Sequence, residues 1–218
     1  MGSTATKLSA APKVPEFITD LNHGNRGEMT MTKLNAPFWK RNEFAVLIDG
    51  VYSETECLEL IEMTNQYLDF IKPQNESLRS NRRAMVDSVP ISDHLYHRIS
   101  RYLPPKWKRK CIDSLNERLR FLKYGKGEEF RAHFDGEYLK ESGEISFLTV
   151  LLYLNEDFEG GETVFMDPMH CNDDDYKFAV KPRTGSVLVF QHKHMMHCGN
   201  MIRNDKIKYC VRTDVMFK

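Results

Sequence analysis

The stretch RLRFLKYGKGEEFRAHFD, residues 118–135, decides the fold, because it joins two alternating segments through a glycine turn. Apolar and polar residues alternate from Arg118 to Tyr124 and again from Phe130 to Asp135, which is the period of a strand with one buried face. Gly125-Lys126-Gly127 supplies the turn between them. The second segment also places an imidazole and a carboxylate two residues apart.

Further short strands are predicted on both sides of this stretch. Apolar or alternating runs bounded by Gly, Pro, Asn or Asp occur at residues 44–48, 145–155, 162–166, 177–180, 186–190 and 208–217. Many short strands without an intervening helical pattern indicate a β-sandwich or barrel. With two candidate helices in front of them, we expect an α+β fold with a double-stranded β-helix (jelly roll) core and N-terminal supporting helices.

The first supporting helix begins at Ser53-Glu54-Thr55-Glu56. This sequence has the form of a capping box, in which the Ser and Glu side chains satisfy free amides of the first helical turn. We expect the helix to run to about Phe70. Its apolar residues are expected to face the core: Cys57, Leu58, Leu60, Ile61 and Met63. A second helix is expected from Ser92, as its cap, to Tyr102, ahead of Pro104-Pro105.

Residues 72–89, between the two helices, are polar and show few helix or strand signals. Long irregular segments inside a compact domain are often functional loops. The segment is therefore interpreted either as a substrate-facing lid or as a plain surface connection, and the sequence leaves both open.

Length and charge limit the class of protein. The chain has 218 residues, enough for one domain with a buried core, and we divide it into a flexible leader and irregular arm over 1–36 and a single domain over 37–218. Its 31 Lys and Arg residues equal its 31 Asp and Glu residues, which removes the usual electrostatic argument for a nucleic-acid partner. The basic run at residues 106–110 is interpreted as a solvated surface.

Cysteine usage and hydropathy predict a cytoplasmic protein, with a nuclear location also compatible. The five cysteines are odd in number and form no CxxC pair, so neither a disulfide framework nor a zinc ribbon is indicated. No stretch approaches the roughly 20 consecutive apolar residues of a membrane span. The N-terminal region lacks the apolar segment of a secretory signal.

A metal site is predicted around His133 and Asp135. In an extended strand residues i and i+2 point the same way, so both side chains can meet one ion while Phe134 turns into the packing behind them. A jelly roll brings distant strands together, and three downstream histidines compete for a third ligand position: His192, His194 and His197. Two imidazoles and one carboxylate leave one face of an ion open, as non-haem Fe(II) oxygenases require.

Four motifs in one order carry a family resemblance. They are Tyr153-Leu154-Asn155, Phe158-Glu159-Gly160-Gly161-Glu162-Thr163-Val164-Phe165, Lys181-Pro182-Arg183-Thr184-Gly185-Ser186-Val187-Leu188-Val189-Phe190 and His197-Cys198-Gly199. From about residue 44 to residue 217 the chain resembles the catalytic domain of prolyl 4-hydroxylases and related Fe(II)/2-oxoglutarate dioxygenases. The resemblance implies iron ligation by His133, Asp135 and His197, the last chosen because it precedes Gly199.

The resemblance also implies a 2-oxoglutarate site. Lys208 resembles the base that binds the distal carboxylate of 2-oxoglutarate, although it lies one residue further from the distal histidine than is usual. Arg212, on the same strand face, is the alternative. Tyr124 and Thr163 match the hydroxyl-bearing positions of the cosubstrate pocket, and Tyr153 is a weaker candidate for the same pocket. An uncharged residue at position 208 would leave a desolvated carboxylate unpaired.

The implied activity is hydroxylation of a C–H bond with Fe(II), 2-oxoglutarate and O₂, and with release of succinate and CO₂. Ascorbate is kept open as an additional cofactor. Asp214 stands near the position where prolyl hydroxylases often have an aromatic residue, so a peptidyl residue of the prolyl type and a small molecule both remain open as substrate. No nucleic-acid partner and no membrane span are expected. The alternative from another class is a catalytically silent jelly-roll binding module.

Overall fold

The structure, a computed structural model, describes residues 14–19, 28–40, 43–67, 70–73 and 77–218. Its α-helices are α1 (Glu54–Tyr67) and α2 (Val89–Ile99). Its strands are β1 (Thr30–Lys33), β2 (Ala45–Asp49), β3 (Arg82–Asp87), β4 (Lys106–Trp107), β5 (Lys110–Leu115), β6 (Arg118–Tyr124), β7 (Phe130–His133), β8 (Ile145–Tyr153), β9 (Thr163–Met166), β10 (Lys177–Val180), β11 (Val187–Gln191), β12 (His197–Gly199) and β13 (Lys208–Phe217).

The strands form two antiparallel sheets. The major sheet has the order β1-β2-β11-β8-β13-β5-β4, and β6 joins it by pairing with both β13 and β3. The minor sheet has the order β10-β9-β12-β7. Several neighbouring strands are distant in sequence, such as β2 and β11 or β8 and β13, because the chain crosses repeatedly from one sheet to the other between β6 and β13. This arrangement is a jelly roll, and the predicted fold class with its supporting helices is confirmed.

The alternation of side chains along β13 separates the two halves of the core. Val211, Val215 and Phe217 belong to the apolar cluster that also contains α1 and α2 residues, on the outer face of the major sheet. Cys210 belongs to a second cluster, between the two sheets. Because strand residues alternate between faces, Lys208 and Arg212 project to the same side as Cys210, into the space enclosed by the sheets.

The capping box of α1 forms as predicted. The Ser53 amide donates to Glu56 Oε2 at 2.8 Å, and the Glu56 amide donates to Ser53 Oγ at 3.2 Å. Cys57 and Leu60 are buried, whereas Leu58 is 57% exposed, so its predicted core position was wrong. The reason is geometric: positions 57 and 60 share the face of the helix that meets the sheet, and position 58 points away from it.

The second helix begins earlier than the sequence predicted. Ser88, not Ser92, is its N-cap and accepts from the Ile91 amide, and Pro90 occupies the first turn, where a missing amide proton costs nothing. The helix ends at Ile99, and residues 100–102 form a 3₁₀ turn. Ser92 is buried and donates to the Val89 carbonyl.

The segment that was interpreted as a lid or a surface connection contains strand β3. This strand pairs with β6 along its whole length, from Arg82 opposite Lys123 to Asp87 opposite Arg118. Ala84 and Val86 are buried, so this part of the segment is a structural strand of the sheet and not a long irregular loop. Its charged residues, Arg82, Arg83 and Asp87, hide the strand pattern in the sequence.

Part of the predicted leader is ordered against the domain. Phe17 and Ile18 are buried in the outer apolar cluster, and β1 pairs with β2. Residues 1–13 and 20–27 of the same region lie outside the described residues. The division at residue 36 stays a prediction. In the described part of the chain, every helix is too short or too polar to cross a bilayer.

Candidate metal centre and cosubstrate pocket

Three potential metal ligands converge between the two sheets. His133 is the last residue of β7, His197 is the first of β12, and the two are cross-strand partners in the minor sheet. Asp135 lies two residues beyond β7. Its Oδ1 is 3.7 Å from His133 Nε2, and its Oδ2 is 3.7 Å from His197 Nε2. One ligand atom from each residue lies within 4.8 Å of the other two, a separation that a single metal ion can span.

Backbone carbonyls orient both imidazoles. His133 Nδ1 lies 2.8 Å from the Arg131 carbonyl oxygen, and His197 Nδ1 lies 3.0 Å from the Met195 carbonyl oxygen. Each Nδ1 therefore carries the proton, and each Nε2 lone pair is directed toward Asp135. Such outer contacts set the tautomer of metal-binding histidines. The donor set fits a divalent iron ion with an open face.

The other two histidines of the downstream cluster do not reach this site. His192, the residue after β11, is buried, and its Nε2 lies 3.4 Å from Oδ1 of Asp214 on β13. His194 is exposed in a turn with a φ angle of 71°. Of the three histidines between which residue spacing could not choose, His197 is the one that lies beside His133 and Asp135.

Asp135 is a buried carboxylate held by several partners. Thr149 donates to its Oδ2 at 2.6 Å, and Arg212 lies 3.0 Å from its Oδ1. Burial by itself would raise the pKa of Asp135, but the charge of Arg212 and the adjacent imidazoles hold the pKa well below the ordinary value. Burial lowers the pKa of His197 to about 4. Near neutral pH the site therefore offers an ionised carboxylate and a neutral imidazole, the forms that bind metals.

The residue between the two upstream ligands lies outside the core. Phe134 is 49% exposed, so the prediction that it packs behind the metal site was wrong. Strand β7 ends at His133, and beyond that point the alternation of a sheet no longer applies. Phe130 supports the site instead: its ring stacks on that of His133 with 3.7 Å between the centroids.

A cavity lined by the three ligands also reaches Lys208. Lys208 is buried, and its ammonium donates to the Gly161 carbonyl at 2.6 Å and lies 5.1 Å from the ring centroid of Tyr124. Among the residues that the structure describes, no carboxylate is within ion-pair distance of it. Burial lowers the pKa of Lys208. A buried cation with so few partners is a site for an anion.

The predicted hydroxyl residues divide into two groups. Tyr124 and Thr163 line the cavity, and Tyr124 is the cross-strand partner of Lys208. Tyr153 is fully buried behind the cavity wall, where its hydroxyl lies 2.8 Å from Thr163 Oγ1. Tyr153 therefore orients Thr163. Burial raises the pKa of Tyr124 well above its ordinary value, which keeps its hydroxyl protonated as a hydrogen-bond donor.

The glycines of the Phe158–Phe165 motif allow a close approach of two backbone segments beside Lys208. Gly160 and Gly161 have φ angles of +80° and +69°. A Cβ atom at Gly160 would lie 2.1 Å from the Met201 carbonyl oxygen. The pairing of β13 with β6 is regular from Lys208 onward, so a residue inserted between Gly199 and Lys208 would be accommodated in the connection over residues 200–207.

Arg212 lies on the same strand face as Lys208 but has different partners. Its guanidinium bridges Asp135 at 3.0 Å and Asp214 at 3.2 Å, so it lies near the metal ligands and not at the far end of the cavity. Sequence reasoning missed this bridge, and it missed Thr149 as a partner of Asp135. The signal in the sequence was the even spacing of Lys208, Arg212 and Asp214, which places their side chains on one face of β13.

Comparison with known proteins agrees with this geometry. Residues 119–213 match the model of the 2OG-Fe(II) oxygenase superfamily. The chain is 36% identical over 92 residues to a probable prolyl 4-hydroxylase 6 of Arabidopsis thaliana, which is 36% of this chain and 32% of that protein. It is 28% identical over 174 residues to prolyl 4-hydroxylase 2 of the same plant, which is 67% of this chain and 56% of that protein.

The chain therefore spans about a third to about half of the length of these curated relatives. A solved structure of a viral collagen prolyl hydroxylase from Paramecium Bursaria Chlorella virus-1, in complex with 2OG, superposes with a TM-score of 0.58. The identity is 20%, and the alignment covers 80% of this chain and 97% of that one. At this identity the likeness shows a shared fold.

Burial of His197 predicts a pH-dependent stability of the metal-free protein. In the unfolded chain its pKa is near 6.5, whereas in the folded protein it is about 4. Between these values the unfolded state binds one more proton, so the free energy of unfolding falls as pH decreases, by about 1.4 kcal/mol per pH unit. His197→Gln removes this term, so we expect the variant to gain about 3 kcal/mol relative to the parent across that window.

Urea denaturation in the presence of a chelator, at a series of pH values, measures this difference. His194→Gln is the matched control, because His194 is exposed. Parallel stability curves for the His197→Gln variant and the parent protein between pH values of about 4 and about 6.5 would contradict the prediction.

Proposed function

We propose that this chain, which carries a prolyl 4-hydroxylase-like domain of the 2OG-Fe(II) oxygenase superfamily, is an Fe(II)- and 2-oxoglutarate-dependent hydroxylase. The observation that carries the proposal is one cavity lined both by two imidazoles with a carboxylate and by a buried lysine that has no carboxylate partner among the described residues. A metal site and a buried cation in one cavity suit a dicarboxylate that binds both.

His133, Asp135 and His197 would hold the iron. With 2-oxoglutarate and O₂, bound Fe(II) supplies the oxidation of a C–H bond to an alcohol, while 2-oxoglutarate is converted to succinate and CO₂. The protein binds and orients the reactants. Ascorbate is a candidate reductant and is included in the assay below.

Arg212 and Thr149 position the carboxylate ligand. Each binds one oxygen of Asp135, so the carboxylate is fixed in one rotamer beside both Nε2 atoms. Arg212 is fixed in turn by an ion pair with Asp214, which also forms an ion pair with Arg120 at 3.1 Å. Partners of this kind keep the ligands in place before a metal arrives.

Lys208 is the residue we assign to the distal carboxylate of 2-oxoglutarate. It lies opposite the metal ligands in the cavity, and Tyr124 and Thr163 border the same region with hydroxyl groups. Arg212, the alternative from the sequence, already has two carboxylate partners and lies beside Asp135. A charge-assisted hydrogen bond at a buried site is worth roughly 1.5–3 kcal/mol.

We also propose that the protein works in a reducing compartment such as the cytoplasm. All five cysteines are free thiols, and burial raises the pKa values of Cys57 and Cys210 to about 12 and about 11. Buried thiols of this kind are unreactive, and free cysteines are typical of proteins in reducing compartments.

The activity is tested by succinate release without added substrate, with Fe(II), 2-oxoglutarate, O₂ and ascorbate. We expect slow, uncoupled turnover that the His133→Ala substitution reduces to background, because one of three ligands is lost. His194→Ala is the control and should match the parent protein. Equal melting temperatures would show that the variants fold.

A lack of both metal binding and succinate release in the parent protein would contradict the enzyme assignment. That result would favour the silent jelly-roll binding module, in which the histidines and Asp135 are structural.

The cosubstrate assignment is tested with Lys208→Met. Loss of the buried cation should raise the KM for 2-oxoglutarate roughly tenfold to a hundredfold, because the distal carboxylate would be desolvated without a partner. The control Lys206→Met removes an exposed lysine from the connection ahead of β13. A normal KM in Lys208→Met, together with a raised KM in Arg212→Met, would show that the anchor is Arg212.

A further inference from the structure

Four arginines gather near the metal ligands and are called here the arginine cluster: Arg79, Arg83, Arg120 and Arg212. Arg120 and Arg212 are cross-strand partners on β6 and β13. Arg83 on β3 is the cross-strand partner of Leu122, a residue of the cavity wall. Arg79 and Arg83 each feel the positive charge of both Arg120 and Arg212.

The cluster has more positive than negative charge. Arg120 and Arg212 share Asp214, and Arg212 also pairs with Asp135. Among the described residues no carboxylate lies within 4.0 Å of Arg79 or Arg83. Both are partly buried, and burial lowers their pKa values, with repulsion from the neighbouring arginines adding to the effect. Partly buried, like-charged groups without partners are costly unless an anion joins them.

The cluster lies beside the metal ligands. The Arg79 guanidinium carbon is 5.7 Å from the ring centroid of Phe130, whose ring stacks on His133. The Arg79 backbone forms an isolated β-bridge with Phe130, the first residue of β7, three residues before His133. At the other side of the cluster Arg212 contacts Asp135. An anion bound here would hold an attached group next to the metal centre.

Exposed apolar side chains adjoin the arginine cluster or the metal ligands. Leu78, Met85 and Phe134 are 40%, 54% and 49% exposed. Leu78 precedes Arg79, Met85 is the cross-strand partner of Arg120, and Phe134 lies between two metal ligands in sequence. Apolar surface next to arginines that have no carboxylate partner among the described residues suits a chain with both apolar and acidic side chains.

We propose that Arg79 and Arg83 bind a carboxylate of the substrate, and that the substrate is a peptide with an acidic side chain near the residue to be hydroxylated. This rests on the proposed hydroxylase function. A nucleic acid is less well matched, because phosphate backbones are bound by extended, exposed basic surfaces, whereas these arginines are few and partly buried and the chain has no net charge.

The test measures peptide binding to the full chain with Ni(II) in place of Fe(II) and with 2-oxoglutarate, so that no turnover is required. The probes are fluorescent peptides with one proline flanked by two glutamates, two glutamines or two lysines. We expect the glutamate peptide to bind about tenfold more tightly than the glutamine peptide. The preference should disappear in the Arg79→Gln/Arg83→Gln double variant.

The control is the Arg101→Gln/Arg118→Gln double variant, which removes an equal number of positive charges at exposed positions. This variant should keep the preference for the glutamate peptide. Melting temperatures show whether each variant folds. Equal binding of the three peptides overturns the proposal, and so does tighter binding of citrate or of an oligothymidylate than of the glutamate peptide.

The affinity for 2-oxoglutarate, measured on the same Ni(II)-loaded samples, separates a substrate site from a cosubstrate site. If the Arg79→Gln/Arg83→Gln variant loses 2-oxoglutarate affinity and keeps its peptide preference, the arginines serve the cosubstrate and the proposal is wrong. Absence of succinate release with Fe(II) would refute the hydroxylase function separately, since the peptide measurement does not depend on turnover.

Discussion

The buried carboxylate of Asp135 is the group on which the rest of the centre depends. A carboxylate at this depth must be compensated, and its partners come from four different parts of the chain: β7, β8, β12 and β13. Each partner fixes one of these strands relative to the others. The jelly roll therefore holds the carboxylate, and the carboxylate holds the ends of the strands in the arrangement that a metal ion needs.

Charge is distributed along the cavity in the order in which a dicarboxylate cosubstrate and an acidic substrate would use it. Lys208 and the three ligands line one cavity, and the arginine cluster adjoins the ligands through the contact of Arg212 with Asp135. Asp214 keeps Arg120 and Arg212 from repelling each other. It stands near the position where prolyl hydroxylases often have an aromatic residue, so this departure and the arginine cluster belong to one feature: a polar, positively charged approach to the metal.

The sequence was sufficient for the fold class, for most strands and for the residues that meet at the centre, because strand alternation and four ordered motifs are local signals. It failed where tertiary contacts decide. Phe134 follows the alternation of β7 but lies beyond its end, and β3 was hidden by its charged face. The sequence could not place Arg83 beside Arg120, because only the pairing of β3 with β6 brings the two residues together. The alternation of side chains along β13 could not distinguish the roles of Lys208 and Arg212, because both side chains project to the same side of the strand.

The most direct test of the account is a crystal structure of the protein with Mn(II) and 2-oxoglutarate, with the metal located by its anomalous scattering. The account predicts one metal peak bounded by His133, Asp135 and His197, and a 2-oxoglutarate molecule whose distal carboxylate meets the Lys208 ammonium. A metal peak elsewhere, or a distal carboxylate on Arg212 with Lys208 unpaired, would contradict it.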